Sequence, residues 1–75
     1  PIKNTLYETV IVAANDVLVD LFLRKKIKYT DISLLLLRII NLKEFKKFKK
    51  IYSKKIEDIV KLSNYVRLKI TTISV

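Results

Sequence analysis

Residues 13–32 read AANDVLVDLFLRKKIKYTDI, and this stretch decides the fold. Apolar side chains recur at steps of three and four through Ala13, Ala14, Val17, Leu18, Leu21 and Phe22, the period of one helix face. Arg24, Lys25 and Lys26 follow as cations in a last turn, where they complement the carbonyl end of the helix dipole. Ile27, Lys28 and Tyr29 alternate as a short extended connector, with Ile27 and Tyr29 expected to point inward. Thr30 then offers its hydroxyl as an N-cap, and Asp31 places a carboxylate in the first turn of a second helix. The stretch describes a helix–turn–helix corner of an all-α protein.

Towards the start of the chain, Thr5-Leu6-Tyr7-Glu8 fits a capping box after an extended lead-in from Pro1. Val10 lengthens the apolar face, and Ile11, Val12, Val19 and Leu23 widen it almost to the full circumference. A helix apolar on nearly every side is normally central in its bundle. The β-branched residues before Ala13 also fit a strand, but the later helical spacing and the absence of a turn residue favour one helix over about 7–25. In the other direction a second helix over about 31–42 would bury Ile32, Leu35, Leu36, Ile39 and Ile40. Residues 43–55 carry seven lysines against Glu44 alone, with Phe45, Phe48, Ile51 and Tyr52 at helical steps. This segment extends the second helix or forms a separate amphipathic one. Its lysines repel one another, so its apolar residues must dock. Ser53 is a cap candidate for a short helix over about 56–61. Ser63-Asn64 is a natural break, followed by a last helix over about 64–74 with Tyr65, Val66, Leu68, Ile70 and Ile73 as its apolar positions. Thr71, Thr72 and Val75 favour fraying. The expectation is one all-α unit spanning 1–75, a partial helical bundle of three to four helices.

Seventy-five residues make one domain or part of one. A chain this short buries only about 60% of its unfolded surface, so alone it would be marginal. Apolar residues are 51% of the chain and charged residues 31%, at a mean hydropathy of +0.22. That combination points to apolar faces that need a partner. Cysteine is absent, which removes disulfides and thiolate zinc sites. Histidine is absent, which removes the commonest metal ligand and general base. Glycine is absent, so no phosphate-cradling loop can be built. A start at Pro1 without Met reads as a processed chain or an excised fragment. The best apolar run, residues 32–40, is interrupted by Ser33 and Arg38 and is about half the length of a membrane span. No signal-peptide pattern opens the chain.

The net charge of +9 suits nucleic acid or an anionic membrane, but biased usage of Lys and Ile explains it more plainly. The lysine run with Phe45, Phe48 and Tyr52 resembles basic-plus-aromatic surfaces for nucleic acid or a membrane-surface helix. No recognised nucleic-acid module accompanies it, so a solvated face is preferred and neither partner is expected. Asp16 and Asp20 share a helix face and could hold a divalent cation with outside ligands, yet two carboxylates without a third ligand fall short. The plainer reading has Asn15 and Asp16 hydrogen-bonding a neighbouring segment and Asp20 paired with Arg24 in the favoured i, i+4 order. Ser53 and Ser63 have no base partner. No catalytic, cofactor-binding or metal site is expected in this chain.

The opening block resembles the C-terminal helical domain of the 1-deoxy-D-xylulose 5-phosphate reductoisomerase family. That family carries a motif close to L-N-A-A-N-E, a run ending in A-F-L, a short basic or polar stretch, and K-I-x-F-x-D-I. Ala13, Ala14 and Asn15 match, with Asp16 in place of Glu. Val19, Phe22 and Leu23 match the run, and Lys26, Ile27, Tyr29, Asp31 and Ile32 fit the second half with Tyr29 for Phe. A looser echo lies at Ile56-Glu57-Asp58-Ile59 and Ser63 to Arg67, similar to the family's D-I-(I/L) turn and a helix with an A-R pair, where Val66-Arg67 sits. The family's usual Gly and Pro are missing here, and the lysine run replaces a more acidic or Pro-containing connector.

The resemblance implies a small bundle whose first helix is not in this chain. In it Asn15 and Asp16 tie the leading helix to its surroundings, and Thr30 and Asp31 start the next. It implies a parent enzyme that isomerises and reduces 1-deoxy-D-xylulose 5-phosphate to 2-C-methyl-D-erythritol 4-phosphate in non-mevalonate isoprenoid synthesis. The parent would use NADPH and Mg2+ or Mn2+, would be a homodimer, and would reside in the bacterial cytoplasm or a plastid-type organelle. The partners of this segment would be the catalytic and NADPH-binding domains of the same chain. The residues alone leave open a different class, a free-standing basic helical interaction protein that binds an anionic surface.

Overall fold

The structure, a computed structural model, describes residues 5–52 and 55–74, with side chains through Thr72. The expected lead-in over residues 1–4, the cap candidate Ser53, the side chain of Ile73 and Val75 lie outside the described residues. Four α-helices and one 3-10 turn follow in order: α1 (Leu6–Leu23), α2 (Tyr29–Ile40), α3 (Lys43–Lys46), the 3-10 turn (Lys47–Lys50) and α4 (Ile56–Ser74). Among the described residues there is no strand, only an isolated antiparallel bridge between Thr5 and Tyr52.

α1 is central. Leu6, Val10, Ala13, Ala14, Val17, Leu18 and Leu21 are buried along one broad arc, as the three-and-four spacing dictates. α2 lies antiparallel to it. At one end the Tyr7 hydroxyl donates to the Ile40 carbonyl at 2.7 Å; at the other the Phe22 and Tyr29 rings meet edge to face at 5.7 Å. α4 brings Leu62, Val66 and Ile70 into the same core, joined by Ile39 of α2 and Phe45 of α3, while Ile27, Ile32, Leu35, Leu36, Leu42 and Phe48 pack around it. Each fully buried side chain of this kind contributes about 1.5–3 kcal/mol relative to exposure.

α1 ends at Leu23, two residues before the expected limit, and the basic run forms its cap. The amide of Lys25 donates to Phe22 O and that of Lys26 to Leu21 O, with Lys25 in the left-handed region at φ 63°. This is a Schellman closure built without glycine. At the other end the Thr5 hydroxyl makes no cap bond, so the expected capping box does not form. The first amides are satisfied by main chain instead: Leu6 N–H donates to Ile51 O at 2.8 Å and Glu8 N–H to Thr5 O at 3.1 Å.

α2 begins two residues earlier than expected, with Lys28 at the N-cap. Thr30 is therefore a helical residue, exposed, and not the cap. Its hydroxyl is displaced from that role because the Asp31 carboxylate reaches back and accepts from Lys28 N–H at 2.9 Å. That is one arm of a capping box, and an ammonium side chain cannot return the other. Tyr29 is 73% exposed rather than tucked inward: it already belongs to the helix, so the alternation of an extended connector does not apply. Ile27 does pack against the core.

The lysine segment neither extends α2 nor forms one long helix. The Asn41 side chain donates to Leu37 O at 2.8 Å and closes α2. Two short turns follow, which bury Phe45 and half-bury Phe48 while Lys43, Lys46, Lys47, Lys49 and Lys50 stay exposed. Two lysines lie over rings, Lys47 on Phe48 at 5.2 Å and Lys49 on Tyr7 at 5.3 Å. The break expected at Ser63-Asn64 is absent, since α4 runs through it. Ser and Asn in a helix cost only tenths of a kcal/mol each relative to Ala, and Leu62, Val66 and Ile70 at i, i+4 and i+8 are buried on both sides of the pair. Packing decides the matter. Leu68, expected on the apolar face, is exposed because that stripe excludes it.

Candidate functional site

The outward face of α1 holds the polar pair that the sequence singles out. At 3.6 residues per turn, positions 12, 19 and 23 fall on one line along the helix, with 16 and 20 on one side of it and 8 and 15 on the other. All seven, Glu8, Val12, Asn15, Asp16, Val19, Asp20 and Leu23, are exposed. Val12 is 59% and Leu23 70% exposed. Among the described residues Asn15 and Asp16 make no side-chain hydrogen bond or ion pair, so the expected tie to a neighbouring segment is not formed within them. Asp20 Oδ2 pairs with Arg24 Nε at 3.1 Å on the surface, a contact worth about 0.3–0.5 kcal/mol. Asp31 and Thr30 sit apart from this face, in the first turn of α2. The four singled-out residues thus do not converge on one point.

A second polar arrangement was not legible in the sequence. The Tyr65 hydroxyl of α4 donates to Glu44 Oε2 of α3 at 2.7 Å, Lys69 Nζ lies 3.1 Å from Glu44 Oε1, and the Tyr65 ring meets buried Phe45 edge to face at 6.0 Å. The hydrogen bonds from Tyr65 and Lys69 hold the Glu44 carboxyl below its ordinary pKa. The same bond to Glu44 pushes the Tyr65 phenol up. The pair Glu44 and Phe45 is distant in sequence from the pair Tyr65 and Lys69, so no local spacing could have joined them. This cluster clamps α3 to α4.

Among the described residues no three acidic groups are placed to hold a metal ion, and no helix is long and apolar enough to cross a membrane. Ser63 is half-buried in α4, with no imidazole anywhere in the chain to activate it. The exposed side chains are suited to binding another surface: an apolar line on α1, and further apolar residues at Leu34 and Leu37 of α2 and Ile56 and Val60 of α4.

Comparison with known proteins shows the family. A family model described as the DXP reductoisomerase C-terminal domain matches residues 2–69. The chain is 51% identical over 73 residues to the 1-deoxy-D-xylulose 5-phosphate reductoisomerase of Pelagibacter ubique (strain HTCC1062), an alignment that takes in 97% of this chain. It spans 19% of the length of that protein. No solved structure matches. With the matched residues running from before α1 into α4, the chain belongs to the DXP reductoisomerase C-terminal domain family.

Proposed function

We propose that this chain serves as the structural C-terminal helical domain of a 1-deoxy-D-xylulose 5-phosphate reductoisomerase and performs no chemistry itself. The carrying observation is that 97% of the chain aligns at 51% identity with only 19% of such an enzyme. The parent is then an oxidoreductase of isoprenoid biosynthesis that converts 1-deoxy-D-xylulose 5-phosphate to 2-C-methyl-D-erythritol 4-phosphate. Its NADPH and its Mg2+ or Mn2+ do not fit this segment, which has no glycine for a phosphate loop and, among the described residues, no acidic trio. Both belong to the catalytic and NADPH-binding domains, which are the partners of this segment in a homodimeric parent. The bacterial source of the relative supports a bacterial setting over a plastid one. The alternative, a basic protein on an anionic surface, rests on net charge and on the lysine run with its aromatic residues, of which Phe45 is buried and two lysines are already seated on Phe48 and Tyr7.

The reading is tested by supplying the remainder of the reductoisomerase chain in trans. Alone, the 75-residue chain should melt broadly or self-associate, because a small core leaves large apolar side chains exposed. With the remainder added, it should melt in one cooperative step at higher temperature, as binding to the folded state requires. A cooperative monomeric melt that the remainder leaves unchanged overturns the proposal.

A further inference from the structure

The exposed face of α1 differs in charge from the rest of the molecule. The chain carries +9 overall, yet α1 contains Glu8, Asp16 and Asp20 and no lysine or arginine. The three acids flank the apolar line of Val12, Val19 and Leu23, and all six side chains are exposed. Asp20 is occupied by Arg24, while among the described residues Glu8 and Asp16 have no cationic partner. An apolar line between acidic borders is complementary to a helix with apolar residues at three-and-four spacing and Lys or Arg beside them.

We infer that this face seats a basic amphipathic helix from the remainder of the reductoisomerase chain. The inference rests on the reading of this chain as a docked domain and names the surface by which it docks. The length of chain beyond this segment in the relative, which the segment matches over only 19%, supplies an occupant tethered at high effective concentration. Anionic lipid and nucleic acid are excluded from this face by its own acids. A second copy is disfavoured in both geometries. A two-fold contact would set Glu8, Asp16 and Asp20 against the same residues, acid on acid. A head-to-tail contact, acidic face on the exposed lysines of residues 43–50, is heterologous and does not close at two subunits. Asn15, also on this face, then provides a neutral hydrogen-bonding group at the border, which gives the conspicuous polar pair of α1 a role directed outward.

The test uses the full-length reductoisomerase polypeptide that carries this segment. Val12→Cys is introduced on the proposed seat, and Leu34→Cys on α2 serves as a comparably exposed control at 65%. Alkylation is read peptide by peptide by mass spectrometry, relative to the urea-unfolded protein. In the unsubstituted polypeptide, a water-soluble carbodiimide couples carboxylates to amines in contact. Val12→Cys should label at least about ten-fold more slowly than Leu34→Cys, and Asp16 or Glu8 should be joined to a lysine outside this segment within the same polypeptide, both being consequences of close, charge-paired packing. Rapid labelling of Val12→Cys overturns the inference, as does a carbodiimide product that reaches only lysines of a second copy in isotopically mixed protein. Equal protection of both cysteines counts for it with the crosslink and against it without. If Val12→Cys is reactive while the remainder still sharpens the melt, only the choice of face is wrong. If the melt is unchanged as well, the docked-domain reading falls with it.

Discussion

Lys25 closes α1 in a backbone region that a side chain resists, at φ 63°. The left-handed conformation costs a non-glycine residue roughly 1–2 kcal/mol. The closure persists because it satisfies the Phe22 and Leu21 carbonyls and turns Ile27 onto the core. Lys25→Gly removes the steric cost and returns part of the gain through a more flexible unfolded chain. The expected net effect is a stabilisation of about 0.5–1 kcal/mol, measured by urea unfolding followed by circular dichroism. Destabilisation by this substitution would show that the Lys25 side chain, and not its backbone, sustains the turn. The absence of glycine from the chain is why the spacing sets this end two residues too late: the usual marker of a helix C-terminus is missing, and the cations that replace it read as helix. Thr30 reads as a cap for a related reason. A hydroxyl before an acid suggests a cap, and the competing arrangement, in which Asp31 satisfies the Lys28 amide, is decided by geometry that spacing does not encode.

Between elements, the tie that sequence reading missed is the one that answers to pH. Glu44 accepts from Tyr65 and pairs with Lys69, and both hold its carboxyl below the ordinary range. A depressed carboxyl contributes stability that is present above its unfolded pKa, about 4.3, and is lost as pH falls through the folded value. Tyr65, raised by the same contact, contributes below the unfolded phenol pKa, about 10, and loses that contribution as pH rises through its folded value. The clamp is partly exposed, so solvent and salt screen it. Glu44→Gln should lower stability near neutral pH by no more than about 1 kcal/mol, the upper range for such a pair. The gap between the two proteins should narrow as pH falls below the unfolded carboxyl pKa, about 4.3, and close at the pH where Glu44 is protonated in the folded chain as well. A gap that persists at that pH would assign the effect to packing against Phe45. The helices α1 and α2 were legible because their apolar periods are long and uninterrupted. α4 carried two conflicting signals, the polar pair Ser63-Asn64 and the stripe Leu62, Val66 and Ile70, and burial of the stripe outweighs the local preference. The short turns of residues 43–50 were legible only as apolar residues that must dock, since a lysine run specifies neither their length nor their hand-over from α to 3-10 geometry.

Across the whole molecule, charge acts in two directions. The Cα radius of gyration is 12.5 Å, comparable to the Debye length of about 10 Å at 0.1 M salt, so at low ionic strength charges across the folded chain are only weakly screened from one another. Against a net charge of +9, the surface pair of Arg24 with Asp20 and the clamp of Lys69 with Glu44 recover little. Self-repulsion therefore dominates the internal electrostatics, and screening it favours the folded chain. Raising NaCl from about 0.02 to 0.5 M should increase the thermal midpoint of the isolated chain by several degrees; a gain of 1 kcal/mol is worth about 4–8 °C in a domain of this size. Docking should respond with the opposite sign. If the acidic line on α1 seats a basic helix, the same salt weakens that attraction. The affinity for the remainder of the reductoisomerase chain, measured by titration calorimetry, should fall over the interval in which the midpoint of the segment alone rises. The two slopes separate an internal property from an intermolecular one. A midpoint that falls with salt would place ion pairing above self-repulsion within the segment. An affinity indifferent to salt would leave the apolar line of Val12, Val19 and Leu23 to carry the contact without its acidic border.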